Sequence, residues 1–403
     1  MIVFKYIFHI LRLIGGAIIL LKHIRISGRG GVLFFDHFYT QDVNELSRAF
    51  KSRCVSVDVI DSAQIFKGAY LFFDKDVRDL NSRYMLSKGL KGNFFLWFSK
   101  CVDVYFRYLF GYRTLILPSD NYYWVREFIL ICQEKGVTVI VVDKEGMISP
   151  YDYEAEATRI LQYAPPICDA MYVWSDRQRR YWIKAGFKDE SIHVLGQPRS
   201  DILFRASRNR SDGNNSLVLH FTFDDYAYIP PAFVADGVNW KLLKSELAEK
   251  LELYAVNNPA ENVVVKAHPQ QSDFAQLKSR FKAKNVTVIG GSAEALTLMS
   301  QARVVIAFQT TAVLEALLIG VPVIYPAWYE TSDELEKLLL PFREAPGISK
   351  ASSPEHLYSM IEGSRAPIEN KRADVSSLIS TYFFKPDGGT SQRIVDHIIE
   401  NYR

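Results

Sequence analysis

The stretch VTVIVVDKEG, residues 137–146, decides the fold class of this 403-residue chain. Its six consecutive β-branched residues predict a strand buried on both faces, because a strand with one face in water would alternate apolar and polar residues. Similar runs occur in GVLFFDH at 31–37, TLILPSD at 114–120 and MYVWSD at 171–176. Longer helical stretches separate these runs. This alternation predicts a parallel sheet whose strands are joined by crossover helices.

The second half of the chain repeats this pattern. Apolar runs lie in SLVLHFTF at 216–223, NVVVKAHP at 262–269 and ARVVIAF at 302–308. Between the halves, residues 206–216 contain no large apolar side chain and mark a linker. We therefore predict an α/β fold of two Rossmann-like, doubly wound lobes that face each other across a cleft. The predicted parts are an N-terminal lobe at 1–205, the linker at 206–216, a C-terminal lobe at 217–385 and a helix at 386–403 that packs back on the first lobe.

The composition is that of a folded globular protein with nearly balanced charge. Hydrophobic residues make up 48% of the chain and charged residues 23%, which excludes the disordered and collagen-like classes. The 48 lysines and arginines exceed the 45 aspartates and glutamates by only three. This balance gives no bulk attraction to nucleic acid, so we expect no nucleic-acid partner.

The four cysteines, Cys54, Cys101, Cys132 and Cys168, are far apart in the sequence. They form no C-x-x-C pair and no zinc-type cluster with histidine, so we expect free thiols and no metal site. Free thiols are typical of a reducing compartment, and we therefore predict a cytoplasmic protein.

The first 30 residues are apolar but interrupted by charged residues. The run without charge at 13–21 is too short for a bilayer span of about 20 residues. Lys22, His23 and Arg25 follow it, whereas a signal peptide carries its charges before the apolar stretch. Residues 1–25 therefore form either a helix in the membrane interface or a helix packed on the first lobe. The first alternative would place the protein at the inner face of the cytoplasmic membrane.

Several common catalytic motifs are absent from the sequence. It contains no G-x-x-x-x-G-K-[ST] loop and no G-x-G-x-x-G turn between a strand and a helix. It also lacks H-E-x-x-H and G-x-S-x-G. P-loop kinases, simple dehydrogenases, metalloproteases and α/β-hydrolases therefore have no support. Ligands of open parallel sheets bind at the carboxyl ends of the strands, so the residues that follow each strand are the candidates.

The first candidate follows the strand at 262–265. Lys266 and His268 can both donate hydrogen bonds to phosphate oxygens, and Pro269 fixes the turn that directs them. The alternative for His268 is a histidine with a structural partner beside an ordinary turn proline.

The second candidate is QTTAVLEA, residues 309–316. Thr310 or Thr311 occupies the predicted N-cap, where hydroxyls and free backbone N–H groups meet at a helix start whose dipole favours an anion. Glu315, one turn later, can accept hydrogen bonds from ribose hydroxyls. The alternative is an ordinary capped helix that ends at Gly320.

Two further groups of candidates lie in the first lobe. Arg199, in the sequence GQPRSD, can hold a charged substrate group bidentately, with Asp201 orienting it or capping a helix. A plain turn with a surface ion pair is the alternative. His37, with Asp36 and Tyr39, follows the strand GVLFFD and either contacts an acceptor sugar or caps the next helix.

These short motifs resemble those of GT-B glycosyltransferases that use CMP-activated acidic sugars, and of the related CDP-glycerol glycerophosphotransferases. KAHP at 266–269 is similar to the HP motif of bacterial sialyltransferases and Kdo transferases, whose histidine contacts the CMP phosphate. The segment that begins at Gln309 is similar to their [ST]-[ST]-A-x-x-E-A segment, in which hydroxyls bind phosphate and the glutamate binds ribose.

The resemblance covers residues 140–400 and includes a candidate catalytic carboxylate. DKEG is similar to the [DE]-[DE]-G motif that supplies this group, but Lys144 leaves the choice between Asp143 and Glu145 open. GQPRSD and the tail DGGTSQRI at 387–394 resemble segments of surface-polysaccharide transferases and glycerophosphotransferases.

The resemblance implies a metal-independent transfer that needs no cofactor besides the donor. Lys266, His268 and the helix start at Thr310 and Thr311 would stabilise the charge on the departing phosphate. Glu145 is the better placed carboxylate to take the proton of the acceptor hydroxyl.

A retaining reaction would need a second carboxylate. The resemblance offers Asp224 or Asp225, which follow the strand at 217–223, as the nucleophile. The alternative for this pair is a solvated turn or a helix cap.

The function that the resemblance implies is transfer of Kdo or sialic acid from a CMP-sugar to a glycan acceptor, free or lipid-linked, in capsule or lipopolysaccharide synthesis. Two alternatives are a CDP-glycerol-type glycerophosphotransferase and a non-catalytic GT-B-like scaffold that binds partners at the membrane. A nucleotide-sugar epimerase of the same fold is disfavoured at this point, because such enzymes usually bind UDP.

Overall fold

The computed structural model divides the chain into two compact units. The first takes in the described residues up to Gly146, Ala155–Asp201 and those from Phe383 onward, and the second takes in Met147–Glu154 and Ile202–Tyr382. Each unit contains one parallel sheet of six strands, which confirms the predicted α/β fold with two doubly wound lobes. The structure describes residues 31–36, 39–61, 112–121, 123–210, 216–223, 240–268, 271, 273–291, 295–365 and 372–402.

The first sheet is built from β1 (Val32–Asp36), β2 (Val57–Asp61), β3 (Thr114–Leu117), β4 (Thr138–Val142), β5 (Ala170–Val173) and β6 (Ile192–Val194). The strand order is β2-β1-β3-β4-β5-β6. β3 and β5 are buried along their whole length. Because helices cover both faces of such a sheet, its strands read as continuous apolar runs.

The helices of this part of the chain are α1 (Thr40–Ser52), α2 (Tyr123–Glu134), α3 (Pro150–Tyr163), α4 (Asp176–Lys184) and α5 (Ser200–Asn209). The C-terminal helix, Thr390–Tyr402, belongs to the first unit, whereas most of α5 belongs to the second. Its Ile394, Val395 and Ile398 are fully buried in one cluster with Phe34 and Phe50. The end of the chain is therefore part of the first hydrophobic core.

The second sheet is built from β7 (Leu217–Phe221), β8 (Asn262–Lys266), β9 (Val286–Ile289), β10 (Ala302–Ala307), β11 (Val323–Pro326) and β12 (Ser349–Ala351). The strand order is β12-β11-β10-β7-β8-β9. Its helices are α6 (Trp240–Asn257), α7 (Phe274–Arg280), α8 (Ala295–Gln301), α9 (Ala312–Ile319), α10 (Asp333–Glu336), α11 (Pro354–Gly363) and α12 (Arg372–Tyr382). Leu247 and Leu251 of α6 pack with Val263 and Val265 of β8 in its core.

The strand order of each sheet reverses at one point. In the first sheet the chain goes from β1 to β2 on one side and then to β3 on the other. In the second sheet it goes from β7 through β8 to β9 and then returns to β10 on the other side of β7. The loops at such a switch point diverge, and the carboxyl ends of the two strands are where open α/β sheets bind ligands. For the second unit this point lies between β7 and β10.

Two predictions made from the sequence fall partly outside the described residues. Residues 1–30 lie outside the described residues, so the membrane-interface helix stays a prediction. None of the described helices has the length and apolarity needed to span a bilayer. Cys54, Cys132 and Cys168 are free thiols, and Cys101 lies outside the described residues.

Two histidines pack the C-terminal helix against the first sheet. The ring centroids of His193 on β6 and His397 on the helix are 4.3 Å apart. His193 Nε2 lies 3.0 Å from the hydroxyl of Tyr402, and His397 Nδ1 lies 2.8 Å from the hydroxyl of Tyr172. Burial and the neighbouring histidine lower the pKa of His193 to about 4. Burial also lowers the pKa of His397.

We expect acid to destabilise the first unit through this histidine pair. Each histidine has a lower pKa in the folded chain than in the unfolded chain, so the unfolded chain binds more protons as the pH falls below about 6.5. The stabilisation is complete above that pH and is lost as the pH falls toward about 4. Between pH 7 and pH 5 the unfolding free energy of the wild-type chain should fall by roughly 1 kcal/mol more than that of His193→Gln. This difference is smaller than the full pKa shift of His193 would give, because both rings are partly exposed to solvent. Urea titrations at the two pH values measure this difference, and equal losses would contradict it.

Candidate functional site

The candidate residues of the second unit lie at the carboxyl edge of its sheet, beside the switch point. Lys266 ends β8 and His268 follows it, while Gln309, Thr310 and Thr311 follow β10. β7 lies between β8 and β10, and neighbouring strands are about 4.8 Å apart, so roughly 10 Å separates the two turns along the edge. A ligand that contacts both turns must therefore be larger than one phosphate group.

Lys266 is buried under the turn that follows β8. Its Nζ donates to the carbonyl oxygen of Ala267 at 3.1 Å and to that of Gly291, which follows β9. His268 is half-buried, and its backbone N–H donates to the Gln271 Oε1 atom at 3.4 Å. The lysine thus joins the turns after β8 and β9 and brings a positive charge to this edge of the sheet.

Gln271 is a buried residue of this turn that no pattern in the sequence marks. Its Nε2 donates to the carbonyl oxygen of Phe223, at the end of the β7 segment, at 3.2 Å and to the Asp273 Oδ1 atom at 2.7 Å. Asp273 also accepts a bond of 2.6 Å from Lys244 Nζ. Gln271 therefore ties the His268 turn to the neighbouring strand. Gln271 follows another glutamine in a polar stretch. The sequence therefore does not distinguish a buried glutamine that binds the backbone from one exposed to solvent.

Thr222, which follows β7, was also missed. It is 6% exposed, and its backbone N–H donates to the Lys266 carbonyl oxygen at 3.1 Å. Its hydroxyl has no hydrogen-bond partner among the residues that the structure describes. A buried unsatisfied hydroxyl is costly and calls for an explanation. The only sequence signal would have been its position directly after a strand of the switch point.

The turn after β10 begins the short helix α9. Thr311 is the N-cap residue, but its side chain makes no capping bond, whereas the hydroxyl of Thr310 accepts from the Ala312 N–H at 3.4 Å. Glu315, one turn along the helix, is half-buried. Gly320 ends the helix in the left-handed conformation, with φ 85°. This C-terminal cap is also expected if α9 is only an ordinary capped helix. Both threonines and the first N–H groups of α9 therefore share one turn at the sheet edge.

Gln309 has a different environment from the threonines that follow it. Its side chain is 3% exposed, and its amide bonds to the backbone of Leu340 and to the hydroxyl of Tyr325. Such an amide has no free hydrogen-bonding group for a phosphate. The side chain supports the turn from inside the unit.

Asp143, in the first unit, is buried at the end of β4. Its carboxylate accepts bonds from Trp182 Nε1 at 2.6 Å, from Gln178 Nε2 at 2.8 Å and from the Glu145 N–H at 3.1 Å. Burial raises its pKa to about 7, against the bonds from Glu145 and Trp182, which lower it. Both oxygens are thus engaged by protein donors.

Glu145 is the exposed carboxylate of the DKEG turn. Its side chain is 74% exposed, and Lys144 Nζ lies 3.6 Å from its Oε1 atom. The Gln178 side chain, which also binds Asp143, donates to the Glu145 carbonyl oxygen at 3.1 Å. Asp143 and Gln178 therefore fix the backbone that carries Glu145. Of the two acidic residues, Glu145 is the one whose carboxylate is open to solvent.

Arg199 and Asp201 are held within the first unit. The guanidinium of Arg199 lies 5.3 Å from the ring centroid of Trp174, and its backbone N–H donates to Asp42 at 2.9 Å. Asp201 accepts bonds from the backbone N–H groups of Thr390 at 2.9 Å and Ser391 at 2.8 Å. Asp201 therefore caps the C-terminal helix.

Asp36 and Tyr39 lie at the start of α1. Asp36 accepts bonds from the Tyr39 N–H at 3.0 Å and from the Thr40 hydroxyl at 2.6 Å, and so holds the first residues of α1 to the end of β1. Tyr39 is 2% exposed, and burial, with the carboxylate of Asp42, raises its pKa well above the ordinary value. Its hydroxyl has no partner in the described part of the chain.

His37, Pro269, Asp224 and Asp225 lie outside the described residues, so their roles stay predictions. Within the described ranges, no three His, Cys, Asp or Glu side chains are grouped so that they could hold a metal ion.

Comparison with known proteins finds similarity in structure alone. No family model matches the chain, and no curated protein matches it in sequence. The UDP-GlcNAc 2-epimerase of Methanocaldococcus jannaschii is 14% identical, with a TM-score of 0.55 over 93% of this chain and 100% of its own. The Neisseria meningitidis epimerase, solved with bound UDP-GlcNAc, is 13% identical, with a TM-score of 0.54 over 93% and 100%. Another UDP-N-acetylglucosamine 2-epimerase is 15% identical, with a TM-score of 0.58 over 94% and 97%.

These neighbours support the fold and correct the family inferred from the sequence. The three similar structures named above are UDP-GlcNAc 2-epimerases, and not transferases of CMP-activated Kdo or sialic acid. The prediction of a CMP-sugar glycosyltransferase for capsule or lipopolysaccharide is therefore wrong, and the glycerophosphotransferase and scaffold alternatives gain no support. The physical reason is that the His-Pro and Thr-Thr motifs describe contacts with phosphate, which CMP and UDP have in common.

We expect Gly146→Ala to destabilise the first unit through the DKEG turn. A Cβ atom at Gly146 would overlap ring atoms of Trp174. Trp174 is 2% exposed and stacks on Phe383 with ring centroids 5.6 Å apart, so the ring has no space into which to move. The substitution should lower the unfolding free energy by about 2 kcal/mol, measured by denaturant titration. Gly363→Ala is the control, because a Cβ there meets nothing within 4 Å. Equal effects of the two substitutions would contradict the prediction.

Proposed function

We propose that this chain binds a UDP-activated N-acetylhexosamine at the carboxyl edge of the second sheet and inverts the configuration at C2 of the sugar. The observation that carries the proposal is the placement of the Lys266–His268 turn and the Thr310–Thr311 helix start on one edge, on either side of β7. The enzyme would be an isomerase of nucleotide sugars. It would need no acceptor glycan.

The electrostatics of this edge favour a diphosphate. The hydroxyls of Thr310 and Thr311 and the positive end of the α9 dipole attract an anion at one turn. His268 can donate to a second phosphate at the other turn, and the charge of buried Lys266 raises the potential there. The separation of roughly 10 Å between the turns suits a diphosphate with its attached groups better than one phosphate.

The uridine base and the N-acetylated sugar are supported by the neighbouring structures. The Neisseria meningitidis epimerase was solved with UDP-GlcNAc, and that of Methanocaldococcus jannaschii with UDP-GlcNAc and UDP. Glu315 stays our candidate for the ribose hydroxyls, because it lies one turn after the phosphate-binding threonines.

The chemistry of inversion at C2 explains why a phosphate site is needed. A C2 proton is not acidic while the anomeric C–O bond is intact. If that bond breaks, the diphosphate leaves with the electron pair, the C2 proton leaves to a base, and a C1–C2 double bond forms. Return of a proton from the opposite face, with re-addition of the diphosphate at C1, gives the C2 epimer. Donors on the leaving diphosphate stabilise the charge that develops in this step.

Glu145, predicted from the sequence as the base for an acceptor hydroxyl, is now our candidate for the base that removes the C2 proton. Its carboxylate is exposed, whereas that of Asp143 is buried and bound by Trp182 and Gln178. A general base must reach the proton that it removes, which favours the exposed group. Asp143 would then serve by fixing the turn.

We expect wild-type protein to bind UDP more tightly than CMP or uridine in calorimetric titrations. His268→Ala should weaken UDP binding at least about tenfold, since a hydrogen bond to a charged group contributes about 1.5–3 kcal/mol. Uridine binding should not change. His356→Ala, an exposed histidine of α11 in the same unit, is the matched control. A preference for CMP, or equal loss in the two variants, would contradict the phosphate site.

We expect epimerisation to be visible as isotope uptake. UDP-GlcNAc incubated with the protein in D₂O should gain deuterium at C2 and form its C2 epimer, both followed by NMR. Glu145→Gln should abolish this exchange and leave UDP affinity within about twofold, whereas Glu190→Gln, also an exposed glutamate of the first unit, should keep activity. Binding of UDP-GlcNAc without any deuterium uptake by the wild type would exclude the epimerase.

A further inference from the structure

We propose that Gln309 is a positioning residue for the phosphate-binding turn. Its buried side chain holds the backbone of the turn in a left-handed conformation from which the hydroxyls of Thr310 and Thr311, at the start of α9, face the ligand. This inference rests on the proposed function, because it assigns the residue that shapes the phosphate site. It differs from the prediction made from the sequence, in which Gln309 belongs to the segment 309–316 that is a candidate for contacts with the nucleotide.

The first observation is a three-bond contact that we call the amide clamp, formed by the Gln309 side chain with Leu340 and Tyr325. Gln309 Oε1 accepts from the Leu340 N–H at 2.8 Å. Gln309 Nε2 donates to the Leu340 carbonyl oxygen at 3.0 Å and to the Tyr325 hydroxyl at 2.9 Å. The side chain thus binds both backbone groups of one residue, as a neighbouring strand would. Only a primary amide of this length offers a donor and an acceptor in that arrangement.

The second observation is the backbone of Gln309 itself. Its φ is 44°. Among the described residues, Cys54 is the only other non-glycine residue with a positive φ. For a residue with a Cβ this left-handed conformation is unfavourable and persists only where the surroundings enforce it. Gln309 lies between the end of β10 and Thr310, at the point where the chain turns from the sheet into α9. The amide clamp supplies the bonds that offset the unfavourable backbone.

The third observation is that the clamp is fixed at its far end. Tyr325 lies on β11, next to β10 in the sheet, and its hydroxyl lies 3.2 Å from that of Tyr329. Tyr329 donates to Glu336 at 3.3 Å, and Glu336 accepts from Arg343 at 3.1 Å. The Arg343 guanidinium lies 4.7 Å from the ring centroid of Tyr329. These bonds hold the segment that contains Leu340 in place. The amide clamp therefore joins the phosphate-binding turn to a segment that is itself held by hydrogen bonds.

A purely structural role and a positioning role differ in what they do to binding. If the clamp only stabilises the fold, its loss lowers stability and leaves the affinity of the folded protein for every ligand unchanged. If it positions the turn, its loss lowers affinity for ligands that carry the diphosphate and not for the nucleoside. The comparison of UDP with uridine separates these roles, because the two share every group except the diphosphate.

The experiment compares Gln309→Ala, Gln309→Gly and the control Gln301→Ala, an exposed glutamine at the end of α8. Alanine removes the clamp and keeps the unfavourable φ, whereas glycine removes the clamp and tolerates that φ. We expect Gln309→Ala to weaken UDP binding by about tenfold or more, the equivalent of one or two hydrogen bonds, with uridine affinity unchanged. Gln309→Gly should recover part of the UDP affinity. Equal losses for UDP and uridine, or none in either, would overturn the inference.

A second measurement tests the clamp without a ligand. Hydrogen exchange of the free protein should speed up in Gln309→Ala at two places, the turn at 309–314 and the segment at 338–343, while β8 stays protected. No change at these places would also overturn the inference. If wild-type protein binds neither UDP nor UDP-GlcNAc, the proposed function fails, and hydrogen exchange still decides whether Gln309 holds the turn.

Discussion

Hydrogen bonds from buried side chains to backbone groups hold the turns at the carboxyl edge of the second sheet, and the proposed site depends on them. Lys266 binds the carbonyl oxygens of Ala267 and Gly291, Gln271 binds that of Phe223, and Gln309 binds both backbone groups of Leu340. A turn at a sheet edge has no ladder to satisfy its polar groups, so side chains must do so. Because these three side chains point into the unit, the residues next to them remain at the edge. The interior thus decides where His268 and the two threonines lie.

The first unit uses the same principle with a carboxylate. Asp143 is buried under the DKEG turn, where Trp182, Gln178 and the Glu145 N–H bind it. The unfavourable burial of its charge is reflected in a pKa of about 7. Gln178 donates to Glu145 as well as to Asp143, so one amide joins the buried acid to the backbone of the exposed one. Each unit therefore pairs a buried polar side chain with a more accessible group of the same turn, Glu145 in the first unit and half-buried His268 and the two threonines in the second.

The sequence predicted the strands well, because a strand covered on both faces has a continuous run of β-branched residues that few other elements share. It also identified the turns that follow β8 and β10. It did not predict which residues in those turns face inward. Gln309 and Thr310 are adjacent polar residues, and only the left-handed φ of Gln309 and its contact with Leu340, thirty-one positions later, distinguish their roles. Gln271 was missed for the same reason. The class of donor was wrong because the motifs describe contacts with phosphate, and such contacts do not distinguish one base from another.

The most direct test of the central claim is a crystal structure of the protein with UDP. The proposal predicts diphosphate oxygens within about 3.2 Å of the Thr310 or Thr311 hydroxyl and of the His268 side chain, with the Gln309 amide still bound to Leu340. A diphosphate bound elsewhere, or one that contacts Gln309 in place of the threonines, would contradict the proposed site.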